Sequence, residues 1–312
     1  MIVYLDNPDI DRGKWDNCIK SSPGVKPYAY SWYLDIMAPG WKALIDDDYK
    51  AIFPITGFKR FGIQYIATPI FLPQLGAYSP EKPPSIVIND FVDSIPEFYR
   101  LIDLCVGQKP DTNGYEVTEK SNFELDLSKP YEKLRDNFSS HCRRNIQASV
   151  KIMPEIVSDI LPDELIGLFL ENKGKEIRGI KTRDYHRLSS LMNFCNKNNK
   201  GKIIGVRDSG KRLIFGLFLI ETEGNITMLL VVNTTESRNR RLGYFLVNEL
   251  IKAHSQTKTI LDFAGSSIPS IASFMESFGS INVPVYRIYR NRLSWPVRLM
   301  KPAEKRQLKN FN

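Results

Sequence analysis

The residues best suited by type and spacing to do chemistry lie between Ile226 and Tyr289. The apolar run Ile226–Val232 ends in Asn233-Thr234-Thr235. The basic run Glu236-Ser-Arg-Asn-Arg-Arg241 follows, and Leu242-Gly243-Tyr244 opens a helix reaching about His254. A strand that parts from its neighbour at Val231, Val232 and Asn233 frees backbone groups to pair with an extended arm such as a pantetheine or peptide. The loop behind it offers Arg238, Arg240 and Arg241, with Leu242, Gly243 and Tyr244 at a helix N-terminus. That combination suits a pyrophosphate or other phosphate. The alternative for the same charges is a solvated basic loop.

A second group supplies candidate acids and bases. The strand Thr259-Ile-Leu-Asp-Phe263 leads into the small-residue turn Ala264–Ser267 and a helix from Pro269 to Phe278, stopped by Gly279. Asp262, at the C-terminal end of that strand, could take a proton from an attacking amine, directly or through water. It could equally cap the turn. Glu171, Glu176 and Glu236 compete with it. In the run His141-Cys-Arg-Arg-Asn-Ile-Gln-Ala, Arg143 and Arg144 could meet an anionic acceptor or form an ion pair between the two halves of the chain. Cys142, between His141 and the arginines, is read as a buried, inert thiol. Trp32, Tyr65 and Gln74 could shape an acceptor site, with ordinary core packing as the alternative.

These residues need strands and helices to hold them. The early chain reads as a strand, a helix around Lys14–Ser21, and strands at 41–45, 50–56 and 62–68, with a turn at Asp46-Asp47-Asp48. Asn89 to Val106 has helical spacing, placing Phe91, Ile95, Phe98, Ile102 and Cys105 on one stripe. Tyr115 to Leu127 reads as a strand pair around a polar turn, Tyr131 to Phe138 as a helix, and 163–173 and 184–197 as amphipathic helices. The second half then repeats the grammar of the first, with strands at 202–207, 213–220 and 225–232. This predicts a diverged structural duplication.

Four widely spaced cysteines (Cys18, Cys105, Cys142 and Cys195) form no CxxC pair, and His141, His186 and His254 have no zinc spacing. A reduced, cytoplasmic protein is expected. The opening MIVYLDNPDIDRGKW meets Asp6 too early for a signal-peptide core, and no run approaches the length of a membrane span. The net charge is +8, and from Ile281 onward eight Lys and Arg residues face Glu304 alone. A local basic patch spanning 287–309 is thereby predicted, suited to tRNA or anionic lipid, with a plain solvated tail as the alternative.

Arg240-Arg241-Leu242-Gly243-Tyr244-Phe245 resembles the donor loop of the GNAT superfamily, Gln/Arg-x-x-Gly-x-Gly/Ala, with Phe245 in place of the last small residue. Phe274-Met275-Glu276-Ser277-Phe278-Gly279 resembles its later Phe/Leu-Tyr-Glu-x-x-Gly helix, with Met275 in place of the tyrosine. The chain is more specifically similar to the Fem-like branch, in which two such lobes are fused. The likeness rests on Ser31-Trp-Tyr-Leu-Asp35 with Pro73-Gln-Leu-Gly76, Cys142-Arg-Arg-Asn-Ile146, and Asp262-Phe-Ala-Gly-Ser266 with Phe274–Gly279.

The resemblance implies an α/β fold with mixed sheets: two tandem GNAT-like lobes, 1–140 and 141–312, sharing a cleft. It implies transfer of an acyl group from a thioester or ester donor, an acyl-CoA or an aminoacyl-tRNA, to an amine acceptor. No tightly bound cofactor and no metal are implied, and the duplicated lobes are expected to let a monomer suffice. Phe245 and Met275 favour an alternative, a GNAT fold that only binds, taking a cell-envelope precursor or an anionic surface.

Overall fold

A computed structural model describes residues 1–174, 177, 179–265 and 268–295 of the chain, without the side chain of Lys173. Glu176, Ser266, Ser267 and the basic tail beyond Trp295 therefore lie outside the described residues. The chain divides into two units.

The first unit takes Met1–Lys120 and the stretch beginning at Pro284. Its first sheet is antiparallel, with β1 (Ile2–Leu5), β2 (Lys42–Asp46) and β3 (Ala51–Ile55) in that order. Helices α1 (Arg12–Ser21) and α2 (Ser31–Met37) fall between β1 and β2. The Asp11 carboxylate starts α1 by accepting from the Lys14 amide. The turn expected at Asp46–Asp48 joins β2 to β3, with Asp47, Asp48 and Tyr49 all at positive φ.

After Thr56 the chain enters a five-stranded sheet. It contains β4 (Gly57–Arg60), β5 (Ile63–Ala67), β6 (Tyr99–Val106) and β7 (Glu116–Lys120), with helix α3 (Pro84–Asp93) between β5 and β6. The helix expected through Val106 is thus corrected: α3 stops at Asp93 and a strand follows. Pro96 lacks an amide and disfavours helical backbone at Ile95. Tyr99–Val106 then pairs with strands on both sides, with Ile102, Leu104 and Val106 buried on one face and Leu101 and Asp103 half-buried on the other.

The second unit is Ser121–Val283. In chain order its elements are β8 (Phe123–Asp126), α4 (Tyr131–Asp136), α5 (Ser140–Val150), β9 (Ile156–Val157), α6 (Pro162–Phe169) and α7 (Thr182–Lys197). Then come β10 (Gly201–Arg207), β11 (Leu213–Thr222), β12 (Asn225–Asn233), α8 (Thr235–Asn239), α9 (Leu242–His254), β13 (Ile260–Asp262), α10 (Pro269–Glu276) and β14 (Ile281–Asn282). The seven strands form one sheet in the order β14-β8-β13-β12-β11-β10-β9. Its core face packs Leu217, Leu246, Leu261, Phe263 and Phe278, each fully buried. A side chain of that size stabilises the fold by roughly 1.5–3 kcal/mol when buried.

The boundary expected between residues 140 and 141 falls inside the second unit. The physical reason is an exchange of strands. Tyr115–Leu127 does hold two strands, but β7 and β8 do not pair with each other. β7 stays with the first unit, while β8 inserts between β13 and β14 of the second. The last strand, β15 (Val285–Asn291), returns to the first unit and pairs between β6 and β7. With this exchange both units share one strand order, β1-β2-β3/β4-β5-β6-β15-β7 against β9-β10-β11-β12-β13-β8-β14. The duplication read from the sequence is borne out in this topology. Among the described residues no helix is long and apolar enough to cross a membrane.

Candidate functional site

β12 is central in its sheet and pairs with β11 along its whole length, with a bulge between Phe218↔Leu230 and Leu219↔Met228. Its parallel partner β13 meets it only at Asn225↔Ile260, Ile226↔Leu261 and Thr227↔Asp262. Beyond Thr227 the pairing ends while β12 continues for six residues to Asn233. Val231, Val232 and Asn233 lie on this diverging stretch.

The first unit treats the equivalent place differently. There β5 runs parallel to β6 from Gln64↔Tyr99 to Ala67↔Asp103. Past that point the segment Leu75–Tyr78 takes over. The Leu75 amide donates to the Cys105 carbonyl (2.8 Å), and the Gly107 amide donates to the Leu75 carbonyl (2.9 Å). Tyr78 and Ile52 exchange two bonds of 2.9 and 3.0 Å. This unit's divergence between β3 and β6 is filled by its own chain.

Behind Asn233 in the second unit, Thr234 caps the short helix α8. Its hydroxyl accepts from the Ser237 amide (3.1 Å) and donates to the Ile214 carbonyl (2.8 Å). Ser237 Oγ reaches the Asn233 side chain. Arg238 Nη1 donates to the Asn233 carbonyl (2.6 Å) and Nη2 to Thr235 Oγ1 (3.0 Å), which braces the strand end. Arg240 pairs with Glu236 (2.6 Å), and Glu236 also takes Arg212 (3.1 Å). Arg241 stands at φ 57°, immediately before α9, and its Nε donates to Asn145 Oδ1 (2.7 Å).

Tyr244 and Phe245 donate their amides to the Arg241 carbonyl, so Leu242 and Gly243 carry the first-turn amides that helix pairing leaves over. A Cβ on Gly243 would sit 3.6 Å from Phe274 Cζ and 3.8 Å from Asn233 Nδ2. The helix start thus comes close to the strand end. Phe245 is buried and already inside the helix, past the loop's leftover amides. Tyr244 joins an aromatic cluster, with ring centroids 4.8 Å from Phe274, 5.8 Å from Phe278 and 5.9 Å from His141. Burial raises its phenol pKa, and a hydrogen bond to Ser277 works the other way.

Asp262 marks the point of divergence. It is fully buried, and Oδ1 accepts from the Ala264 amide (2.9 Å). Ala264 and Gly265 both have positive φ (57° and 63°). A Cβ on Gly265 would lie 2.5 Å from the Ser121 carbonyl oxygen, so only glycine fits. Of the two readings of Asp262, the turn cap is the one this hydrogen bond carries. Met275, 3% exposed, is a core residue.

The arginines of α5 part company. Arg143 Nη1 donates to the Phe138 carbonyl (2.7 Å) and closes the α4–α5 turn. Arg144 is exposed. Asn145, which the sequence reading passed over, is the residue of this run that reaches the loop. Arg212 was missed as well. Cys142 is buried, and desolvation pushes its thiol up to about 11, as expected of an inert cysteine. Glu171 is exposed, while Glu236 is held between two arginines.

The other three predicted residues belong to the first unit. Trp32 lies on α2, stacked on Tyr30 (6.3 Å). Tyr65 is buried against Phe58 (5.4 Å). Gln74 is buried, its Nε2 donating to Tyr28 Oη (3.2 Å), and packs against Gly107 at the start of the filling segment. Trp32 and Gln74 are linked through an aromatic pair, Trp32 lying 5.7 Å from Tyr33, which lies 6.1 Å from Gln74's partner Tyr28.

No protein-family model and no curated protein sequence matches the chain. Solved structures do match. FemX is similar over 96% of this chain and 99% of its own, with a TM-score of 0.64 and 12% identity. L-PGS from Bacillus licheniformis covers 93% and 95%, at 0.54 and 15%. The C-terminal domain of a putative lysylphosphatidylglycerol synthetase from Agrobacterium fabrum covers 93% and 94%, at 0.54 and 12%. The chain thus shares the fold of FemX over nearly its whole length.

Proposed function

We propose that this protein is an N-acyltransferase whose second unit holds an acyl donor along the diverging half of β12. One observation carries the reading. β12 and β13 part at Thr227 and Asp262 and open toward Arg238, Arg240, Arg241 and the first amides of α9. The matching place in the first unit is filled by Leu75–Tyr78, so the second unit is the one suited to a donor. Backbone groups of Val231, Val232 and Asn233 would pair with the donor's arm. Its phosphates would meet Arg240, Arg241 and the Leu242 and Gly243 amides, with Tyr244 backing the helix start.

In the reaction, an amine nitrogen attacks the carbonyl carbon of a thioester or ester. The new C–N bond forms, the C–S or C–O bond breaks, and the sulfur or oxygen leaves with its electron pair. The amine's proton passes to solvent and a proton returns to the leaving group. The protein's contribution is chiefly positioning. Asp262 serves this by fixing the turn at which the strands part. Arg144, exposed on α5 beside Asn145, is a cation suited to an anionic acceptor. An acyl-CoA and an aminoacyl-tRNA are both candidate donors.

A thermal-shift series tests this with acetyl-CoA, longer acyl-CoAs, free CoA and then charged tRNA. At one hundred times its Kd, a donor adds about 2.7 kcal/mol to stability. The shift should disappear in Arg240→Ala plus Arg241→Ala. A second reading, a fold that binds without catalysing, draws on Met275 lying in the core where a proton-transferring tyrosine would be needed. It predicts saturable binding of a donor without transfer to any amine.

A further inference from the structure

One end of the first unit's five-stranded sheet gathers exposed aromatics and cations. The β4–β5 hairpin closes at this end, since Arg60 pairs with Ile63 and β5 then runs beside β6 from Gln64↔Tyr99. β6 therefore starts here, next to Phe98. β15 ends here too, with Asn291↔Leu101 as its last pair and the Arg292 amide bonded to the Arg100 carbonyl (2.7 Å). β5 and β15 flank β6, which places the hairpin about 10 Å from the strand that leads to Trp295.

The exposure at this end is unusual for such side chains. Phe61 is 84% exposed, Trp295 74% and Phe98 49%. Phe61 also sits at φ 50°, ahead of Gly62 at 77°, in a two-residue turn. Asparagine or glycine is the ordinary occupant of that first position, and a side chain without local hydrogen bonding costs about 1 kcal/mol there. The ring returns no burial to the fold. The Arg60 guanidinium lies 5.1 Å from its ring centroid.

Charge points the same way. Lys59, Arg60, Arg100 and Arg292 are exposed at this end, and Glu97 is paired with Arg292 (3.2 Å). From this end the sequence continues with Arg298, Lys301, Lys305, Arg306 and Lys309 against Glu304. Apolar rings at a hairpin apex and beyond a strand end, flanked by cations and followed by a basic segment, match an interface of hydrocarbon beneath anionic headgroups.

We propose that this end of the first unit docks on an anionic membrane surface, with Phe61 and Trp295 entering the interface and the flanking cations meeting lipid phosphates. The proposal is independent of the donor site in the second unit. The full chain is to be sedimented with phosphatidylglycerol–phosphatidylcholine vesicles and with pure phosphatidylcholine vesicles. It should partition to the anionic vesicles, with a blue shift in tryptophan emission that vanishes in Trp295→Phe. Phe61→Asn restores the favoured turn residue, so the fold is kept, and partitioning should fall about tenfold. Lys59→Glu with Arg60→Glu should lower it further, and salt should weaken it. Equal partitioning to both vesicles, or partitioning unchanged by Phe61→Asn, would overturn the proposal. So would failure to bind vesicles alongside salt-sensitive binding of single-stranded RNA, which would assign the patch to nucleic acid.

Discussion

Arg241 and Asn145 are 96 residues apart in sequence and 2.7 Å apart in the fold, Nε donating to Oδ1. This bond ties the loop before α9 to α5 and holds an arginine in left-handed backbone at the mouth of the β12–β13 divergence. Asn145→Ala should leave the fold intact and weaken donor binding by about five- to tenfold, the worth of one hydrogen bond. Titration of the variant with the donor that stabilises the wild type checks this. An unchanged Kd would detach Asn145 from the site.

Gly265→Ala should be among the most destabilising single-methyl additions in the chain. The new carbon would meet the Ser121 oxygen at 2.5 Å in backbone that alanine already disfavours. A loss of about 3 kcal/mol or more is expected in urea unfolding. Asp262→Ala, which removes the acceptor for the Ala264 amide, should cost about 1–3 kcal/mol. Asp262→Asn, which keeps that acceptor, should retain most stability and most transfer activity. Full loss of activity in a stable Asp262→Asn protein would restore the proton-acceptor role.

The thiols should be inert in the native protein. Cys18, Cys105, Cys142 and Cys195 are all buried, and desolvation pushes Cys18 and Cys142 up to about 11 and Cys195 to about 12. Ellman's reagent at mildly alkaline pH should label none quickly, and all four after denaturation. A rapid reaction at Cys142 would contradict the packing of α5.

His254, in the last turn of α9, has its pKa lowered by burial from the ordinary 6.5. The unfolded chain therefore takes up this proton at a higher pH than the folded one. The stability at neutral pH should fall as pH drops below about 6.5, and level off below the folded pKa. His254→Gln should flatten that segment of a Tm-against-pH curve. A curve unchanged by the substitution would remove His254 from the account.

How much of this was legible in the sequence depends on how local the deciding forces are. β10, β11 and β12 were readable because long apolar runs are broken by polar turns at Asp208–Gly210 and Glu221–Gly224. The strand-to-helix step at Asn233–Gly243 was readable because its arginines and glycine fall together. Tyr99–Val106 was misread because Phe91, Ile95, Phe98, Ile102 and Cys105 happen to fall at helical spacing. Pro96 was the signal against it. The exchange of β8 and β15 could not be read, since Glu116–Lys120 and Phe123–Asp126 look like any hairpin and their partners are chosen by distant strands. Asn145 was hidden among its charged neighbours Arg143 and Arg144, because its role depends on a residue 96 positions away.

The central claim is that the donor lies along β12 of the second unit and that the first unit's own chain fills the matching place. Hydrogen–deuterium exchange, measured with and without a saturating donor, tests it most directly. The account predicts new protection of the amides of Met228–Asn233 and of Leu242 and Gly243, with Ile63–Tyr78 unchanged. Protection confined to Ile63–Tyr78, or binding that protects neither stretch, would contradict it.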